Sequence, residues 1–152
     1  KGKTYLVGKK LLMSIADNKT QELWKSFMPL RGEVNNRVDK DFYSVEVYSG
    51  LDYFKRLDTT KEFQKWAAVR VVDHESIPKS MEGLIIPDGD YAVFLYQGSS
   101  VKAHNFYQYI FTEWLPKSEN ELDDRPHFAV MGENYKNNDP DSQEEIWIPI
   151  KY

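Results

Sequence analysis

Six stretches of the chain carry apolar residues at the two-residue period of a strand. They are TYLVGKKLLMSI (4–15), YSVEVYS (43–49), WAAVRVV (66–72), DYAVFLYQGSS (90–100), HFAVMG (127–132) and EIWIPI (145–150). Successive strand side chains point to opposite faces. Trp66, Ala68, Arg70 and Val72 therefore share a face. So do Ile146, Ile148 and Ile150, with Trp147 and Pro149 opposite. In the fifth stretch Phe128 and Val130 point one way, and His127, Ala129 and Met131 the other. Pro149 has no N–H for a ladder and is expected at an edge or bulge. PDGD (87–90) reads as the turn that introduces the fourth strand.

Between these strands the period twice becomes helical. Leu23, Trp24, Phe27 and Met28 form one apolar stripe. Asn18 or Thr20 is the expected cap, with Asn18 and Gln21 at capping-box spacing. Phe106, Tyr107, Ile110, Phe111, Trp114 and Leu115 form a second stripe, with Ser99 or Ser100 as cap. Tyr107 and Trp114, seven residues apart, should share a helical face. Each stripe meets a proline, Pro29 or Pro116, where a break or a new first turn is expected. RGEVNNRV (31–38) is read as resumed helix and SENELDDR (118–125) as a turn or loop.

LWKSFMP (23–29) and IFTEWLP (110–116) share one apolar–polar pattern at an offset of 87 residues. Each lies in a strand–helix–strand–strand order, giving pseudo-repeats of about 1–75 and 85–152 within a single 1–152 domain. The expected fold is α+β, a duplicated unit with pseudo-twofold symmetry and an antiparallel sheet.

Composition narrows the function classes. The aromatic share of 14% exceeds what a core of 152 residues usually needs, which leaves two readings open: a Trp/Tyr-rich core, or a core partly open and lined by rings. The net charge of −4, with no basic tract, argues against direct nucleic-acid binding. No apolar run has membrane length. Without cysteine there is no disulfide framework, thiolate metal site or cysteine nucleophile. The three histidines, His74, His104 and His127, lack ligand spacing, so neither metal nor cofactor is expected. No nucleophile elbow, phosphate-binding glycine loop or paired-carboxylate motif is present, and no catalytic residue is assigned.

Arg70 interrupts an apolar strand, and a buried charge needs a partner. Three readings stand open: a guanidinium reaching water at a strand end, an ion pair with Glu46, or a donor aimed into a pocket at an anionic group. Glu46 shares a face with Ser44 and Tyr48 and is read as solvated on the outer face of a sheet. NNDPDSQEE (137–145) is read as a solvated acidic loop.

LWKSFMP, WAAVRVV, YAVF, YIFTEWLPKS, ELDDRPHF and EEIWIPIK resemble the GyrI-like small-molecule-binding family, the effector-binding domain of AraC-type and MerR-type regulators. The resemblance covers essentially the whole chain. It implies a duplicated unit with a central groove for hydrophobic, often cationic, small molecules. Other branches resemble hydrolases of cyclopropane-containing toxins or a DNA gyrase inhibitor. The family pattern has Glu after RPHF, where this chain has Ala129. It often has Glu in the strand of Arg70, and Tyr where this chain has Asn120. Loss of two carboxylates and gain of an Arg would reverse the groove's sign.

The resulting expectation is a stand-alone, cytoplasmic, non-catalytic binder of a hydrophobic or aromatic small molecule, monomeric or weakly dimeric, with a protein partner left open. Phe27, Trp66, Tyr107, Trp114 and Trp147 would supply ring walls. Arg70 would favour a neutral or anionic group, and Ala129 would supply space. A hydrolase is the alternative, with Glu113, Glu46 or Tyr107 as substitute acid or base. A gyrase-inhibitor-like interaction module is the other.

Overall fold

A computed structural model describes residues 2–54, 58–99, 102–132, 135–136 and 139–151. The strands are β1 (Thr4–Met13), β2 (Phe42–Val47), β3 (Phe63–Val71), β4 (Glu82–Ile86), β5 (Asp90–Gln97), β6 (Glu121–Leu122), β7 (His127–Met131) and β8 (Gln143–Lys151). Helix α1 (Thr20–Phe27) runs on into a 3-10 segment, Met28–Glu33. Helix α2 (Ala103–Tyr109) passes into a π turn, Ile110–Trp114, and ends as α3, Leu115–Lys117. A short 3-10 turn covers Leu51–Phe54.

The sheet is antiparallel, in the order β4-β1-β3-β2-β7-β8-β5, with β6 paired to β8. Each of the six alternating stretches falls on a strand, and the α+β class holds. The order β1-β3-β2 on one side of the β2–β7 seam is met by β5-β8-β7 on the other. Strand β4 was not anticipated. It is short, opens on Glu82 and Gly83, and is held by β1, with Ile86 opposite Thr4.

Several local expectations change. The capping box does not form: Lys19 occupies the cap position without a side-chain bond, while Asn18 Oδ1 accepts from the Thr20 N–H at 3.0 Å. Ser99 does not cap α2 with its side chain, because the helix starts four residues later, at Ala103 behind Lys102. Ser100 lies outside the described residues, as do Asn137 and Asn138 of the acidic loop. Pro29 opens the 3-10 turn as expected, but RGEVNNRV stays helical only to Glu33. Val34 is extended and Arg37 bridges to Val71. SENELDDR contains β6 rather than loop alone. Pro149 sits beside Tyr91 in the β5–β8 ladder, past the last β7 pairing, so no β7 partner awaits its missing N–H.

The sheet curls strongly. Its end strands β4 and β5 are joined by only Pro87, Asp88 and Gly89. Seven strands laid flat would separate these edges by roughly 29 Å, and the link from Ile86 to Asp90 reaches at most about 14 Å. Diagonal corners must fold toward each other over one face. That inner face holds Leu6, Tyr43, Val45, Trp66, Ala68, Ile86 and Phe128, with Tyr91 and Trp147 packed against them. Phe128 and Trp147 stack at 5.3 Å. Arg125 clips the corner. Its Nη2 donates to the carbonyls of Asp90 (2.6 Å) and Ile150 (3.1 Å), its Nε to Asp123 (2.7 Å), and its guanidinium lies over the Tyr91 ring.

Both helices cover the opposite face. Leu23 and Phe27 of α1 pack on Val7, Ala67, Val69 and Val71. Ile110, from the π turn that extends α2, packs with Ala103 on Tyr96, Ala129, Ile146 and Ile148. Between the two clusters lies the β2–β7 seam.

Candidate functional site

At the seam the helical face is floored by small side chains. Ser44 pairs with Ala129 across β2 and β7, and both are buried. Strand alternation then fixes what surrounds them. Two residues on from Ser44 along β2 comes Glu46, and the next position on that face is Tyr48. Glu46 lies opposite His127 on one side and Lys65 on the other. Lys65 Nζ donates to Glu46 Oε1 at 2.9 Å, with side chains only 12% and 13% exposed. From β8, Glu144 stands two residues before Ile146 on the same face.

These groups shape one another's chemistry. Burial raises the Glu144 carboxyl above its ordinary range; Lys65 opposes this and Glu46 reinforces it. Tyr107, from α2, packs on the cluster that contains Ala129. Burial drives its hydroxyl well above the ordinary value, and Glu46, Glu144 and Tyr48 push the same way. Tyr48 is raised by burial first and Glu46 second. The centre of the helical face thus holds two carboxylates, one ammonium and two phenols, in a place that disfavours added negative charge.

Aromatic rings close this centre. Tyr48 meets Tyr53 (4.5 Å), Phe54 (4.8 Å), Phe63 (5.2 Å) and His127 (5.0 Å). Phe54, from the 3-10 turn, stacks on His127 at 5.4 Å and on Phe111 at 5.3 Å. Burial holds the His127 imidazole down at about 3, with Arg125 adding to the effect. Outside the Phe54–Phe111 stack lies an apolar pocket of about 310 Å³, lined by Leu51, Phe54, Phe111, Leu115 and Leu122.

The seven residues expected to bind ligand divide among several places. Tyr107 and Ala129 come together at the seam. Phe27 is wholly buried under α1. Trp66 and Trp147 belong to the inner face. Arg70 faces inward too, following Trp66 and Ala68 along β3 opposite Leu6 of β1, within reach of the Tyr43 hydroxyl and on the face away from Ala129. Burial first, and Asp39 next, push the Tyr43 hydroxyl up to about 12, against Arg70. Glu46 pairs with Lys65 and not with Arg70. Trp114 leaves the Tyr107 face. The π turn adds about one residue to its helical turn, rotating later side chains by roughly 100°. Trp114 therefore packs on Phe94 at 5.0 Å and borders a shallow surface depression with Tyr109 and Lys117.

Lys65, Tyr48 and Glu144 were not anticipated as site residues, and Glu46 only as a substitute acid or base in the hydrolase alternative. The phase of β2 already put Ser44, Glu46 and Tyr48 together, and extending the Ile146–Ile148 face backwards reaches Glu144. The missing information was which face the helices cover.

The model of the GyrI-like small-molecule-binding domain matches residues 1–151, and the chain belongs to that family. Similar solved structures share the fold. SAV2435 bound to tetraphenylphosphonium is 19% identical with a TM-score of 0.69, over 99% of this chain and 90% of that one. The EcmrR C-terminal domain is 13% identical with a TM-score of 0.70, over 99% and 93%. A hydrolase from Listeria innocua is 12% identical with a TM-score of 0.54, over 99% and 88%. No curated protein matches in sequence. No described helix is long and apolar enough to cross a membrane.

Proposed function

We propose that the chain binds a hydrophobic, aromatic small molecule over the β2–β7 seam, between α1 and α2, with a preference for a cationic or neutral group. One observation carries this reading: two carboxylates, Glu46 and Glu144, share the site with a single ammonium, Lys65. The charge preference expected from Arg70 is thereby replaced, since Arg70 lies on the other face. The two pseudo-repeats each contribute one helix and part of the floor. In a site sheltered from water, one uncompensated carboxylate attracts a cation more strongly than it would in solution. The ring walls supply Tyr48, Tyr107, Phe54 and Phe111 as stacking partners. The structural relative SAV2435, solved with a lipophilic cation, is in keeping with that choice.

Calorimetric titration with tetraphenylphosphonium tests it. Binding to the wild-type chain should weaken about tenfold in Glu144→Gln, the loss of one favourable charge contact. Affinity that ignores Glu144 overturns the charge argument, and absence of binding overturns the reading.

A further inference from the structure

We propose that the free edge of β5 docks a second copy of this chain, strand to strand and antiparallel, about a twofold axis through Phe94. The contact lies away from the β2–β7 seam and is independent of any ligand there.

The backbone shows which way the unused groups of β5 point. Beyond the last β5–β8 pair, the Gly98 N–H donates to the Ser142 carbonyl at 2.9 Å, one step further along the same register. Bonded and non-bonded pairs alternate along an antiparallel ladder. Tyr96 with Glu144 and Phe94 with Ile146 are therefore bonded pairs, while Tyr91, Val93, Leu95 and Gln97 turn their N–H and C=O groups away from β8. Pro149 keeps the same phase. It stands opposite Tyr91, and its carbonyl accepts from the Asp123 N–H on the other side of β8. Strand β5 ends the sheet, and no described residue bonds to those outward groups.

The side chains make this edge adhesive. Val93 and Leu95 lie on the inner face with Tyr91, 47% and 66% exposed, and Leu95 is the most exposed large apolar side chain among the described residues. Edge strands of monomers are ordinarily blunted by charge, proline, a bulge or shortness. The opposite edge obeys this: β4 has five residues and opens on Gly83 and on Glu82, which is paired with Lys10 at 3.4 Å. Strand β5 has eight residues in unbroken register, no glycine or proline, and no charge after Asp90.

That lack of charge selects the partner. A twofold axis sets the residues beside it against their own copies, so a charge there would meet its like. Residues 91–97 carry none. With the axis at Phe94, Val93 faces the partner's Leu95 and Tyr91 faces the partner's Gln97. These are the residues whose backbone groups point outward, so about eight N–H···O bonds can close the edge. One strand from each copy buries less than the roughly 1,200 Å² of a standard interface, which makes the dimer weak and dependent on concentration.

Sedimentation velocity of the full chain over a concentration series tests the pairing. The average mass should rise from one chain toward two. Val93→Lys and Leu95→Lys, at exposed positions, should each weaken the dimer at least about tenfold, because the change is felt on both sides of the axis. Their thermal midpoints in dilute solution should match wild type. Leu12→Lys, at an exposed leucine of β1, should dimerise like wild type. The chain has no cysteine, so crosslinking reads the register. A mixture of Val93→Cys and Leu95→Cys chains should oxidise to dimer faster than either chain alone, since opposed Cα atoms of a bonded pair are about 5.5 Å apart, within disulfide reach. A chain that stays monomeric at every concentration overturns the proposal and leaves the edge to a different partner. A dimer that survives both lysine variants, or that crosslinks as fast from one cysteine variant as from the mixture, overturns it too.

Discussion

Ser44 and Ala129 face each other across the β2–β7 seam, buried on the side that the helices cover. Two small side chains at that point leave the floor low, and Tyr107 closes over it. Ala129→Glu would place a carboxylate there. The larger side chain must displace Ile110, Ile146 or Tyr107, so stability should fall by about 1–3 kcal/mol. The added charge should also tighten a lipophilic cation. Urea denaturation and calorimetry on the same variant check both effects.

The Glu46–Lys65 pair can be separated from its charges. Lys65→Met leaves Glu46 without its ammonium in a largely buried place and should cost about 3 kcal/mol. The double variant Lys65→Met/Glu46→Met should recover part of that loss, since two apolar chains leave no orphaned charge. A double-mutant cycle by denaturant unfolding reads the coupling.

Two groups give opposite pH slopes. His127 is held at about 3 when folded, so the unfolded chain binds the extra proton. Its contribution to stability is complete above the ordinary histidine value, near 6.5, and is lost as pH falls toward about 3. Glu144 is raised when folded. Its contribution is complete below the ordinary carboxylate range and fades as pH rises through its raised value. His127→Phe should flatten the acid side of the stability profile, and Glu144→Gln should remove the decline above the carboxylate range. Denaturation midpoints taken from pH 4 to pH 8 test both.

Arg70 offers a negative control with content. It lies on the inner face beside Tyr43, so Arg70→Ala should leave tetraphenylphosphonium affinity within about twofold of wild type. The same substitution should raise the Tyr43 hydroxyl further, because the opposing guanidinium is gone. Tyrosinate absorbance at alkaline pH reads the second effect.

Gly8 tests the close approach of β1 to β3. A Cβ there would collide with the Ala67 carbonyl. Gly8→Ala should destabilise by about 2 kcal/mol or more, since backbone must move to admit it. Thermal unfolding measures this.

The strands were legible because their alternation is strong and each is bounded by polar or turn residues. Ala129 was singled out as the small residue of its strand, and it lies buried opposite Ser44. The rest depended on facts that alternation does not carry. Knowing that Trp66, Ala68 and Arg70 share a face does not say whether helices or the curl of the sheet cover that face. Arg70 and Ala129 were therefore both expected at the ligand, although they lie on opposite faces of the sheet. Trp114 was misplaced for a local reason, since a π turn breaks the 3.6-residue phase that joined it to Tyr107. Glu144 was hidden by its acidic neighbours, which read as loop until the β8 ladder extended through them.

The seam also sets an order of events. Its paired residues, from Glu46 with His127 to Phe42 with Met131, are 81 to 89 positions apart in the chain, a span approached among the described ladders only by β1–β4, at 74 to 82. Closing so long a loop is the slowest kind of contact to form. The floor of the site should then be among the last parts of the molecule to assemble during synthesis, after each half has folded locally. A compound that fits there would act as a template for the final joining of the halves, and not only as cargo for a finished receptor.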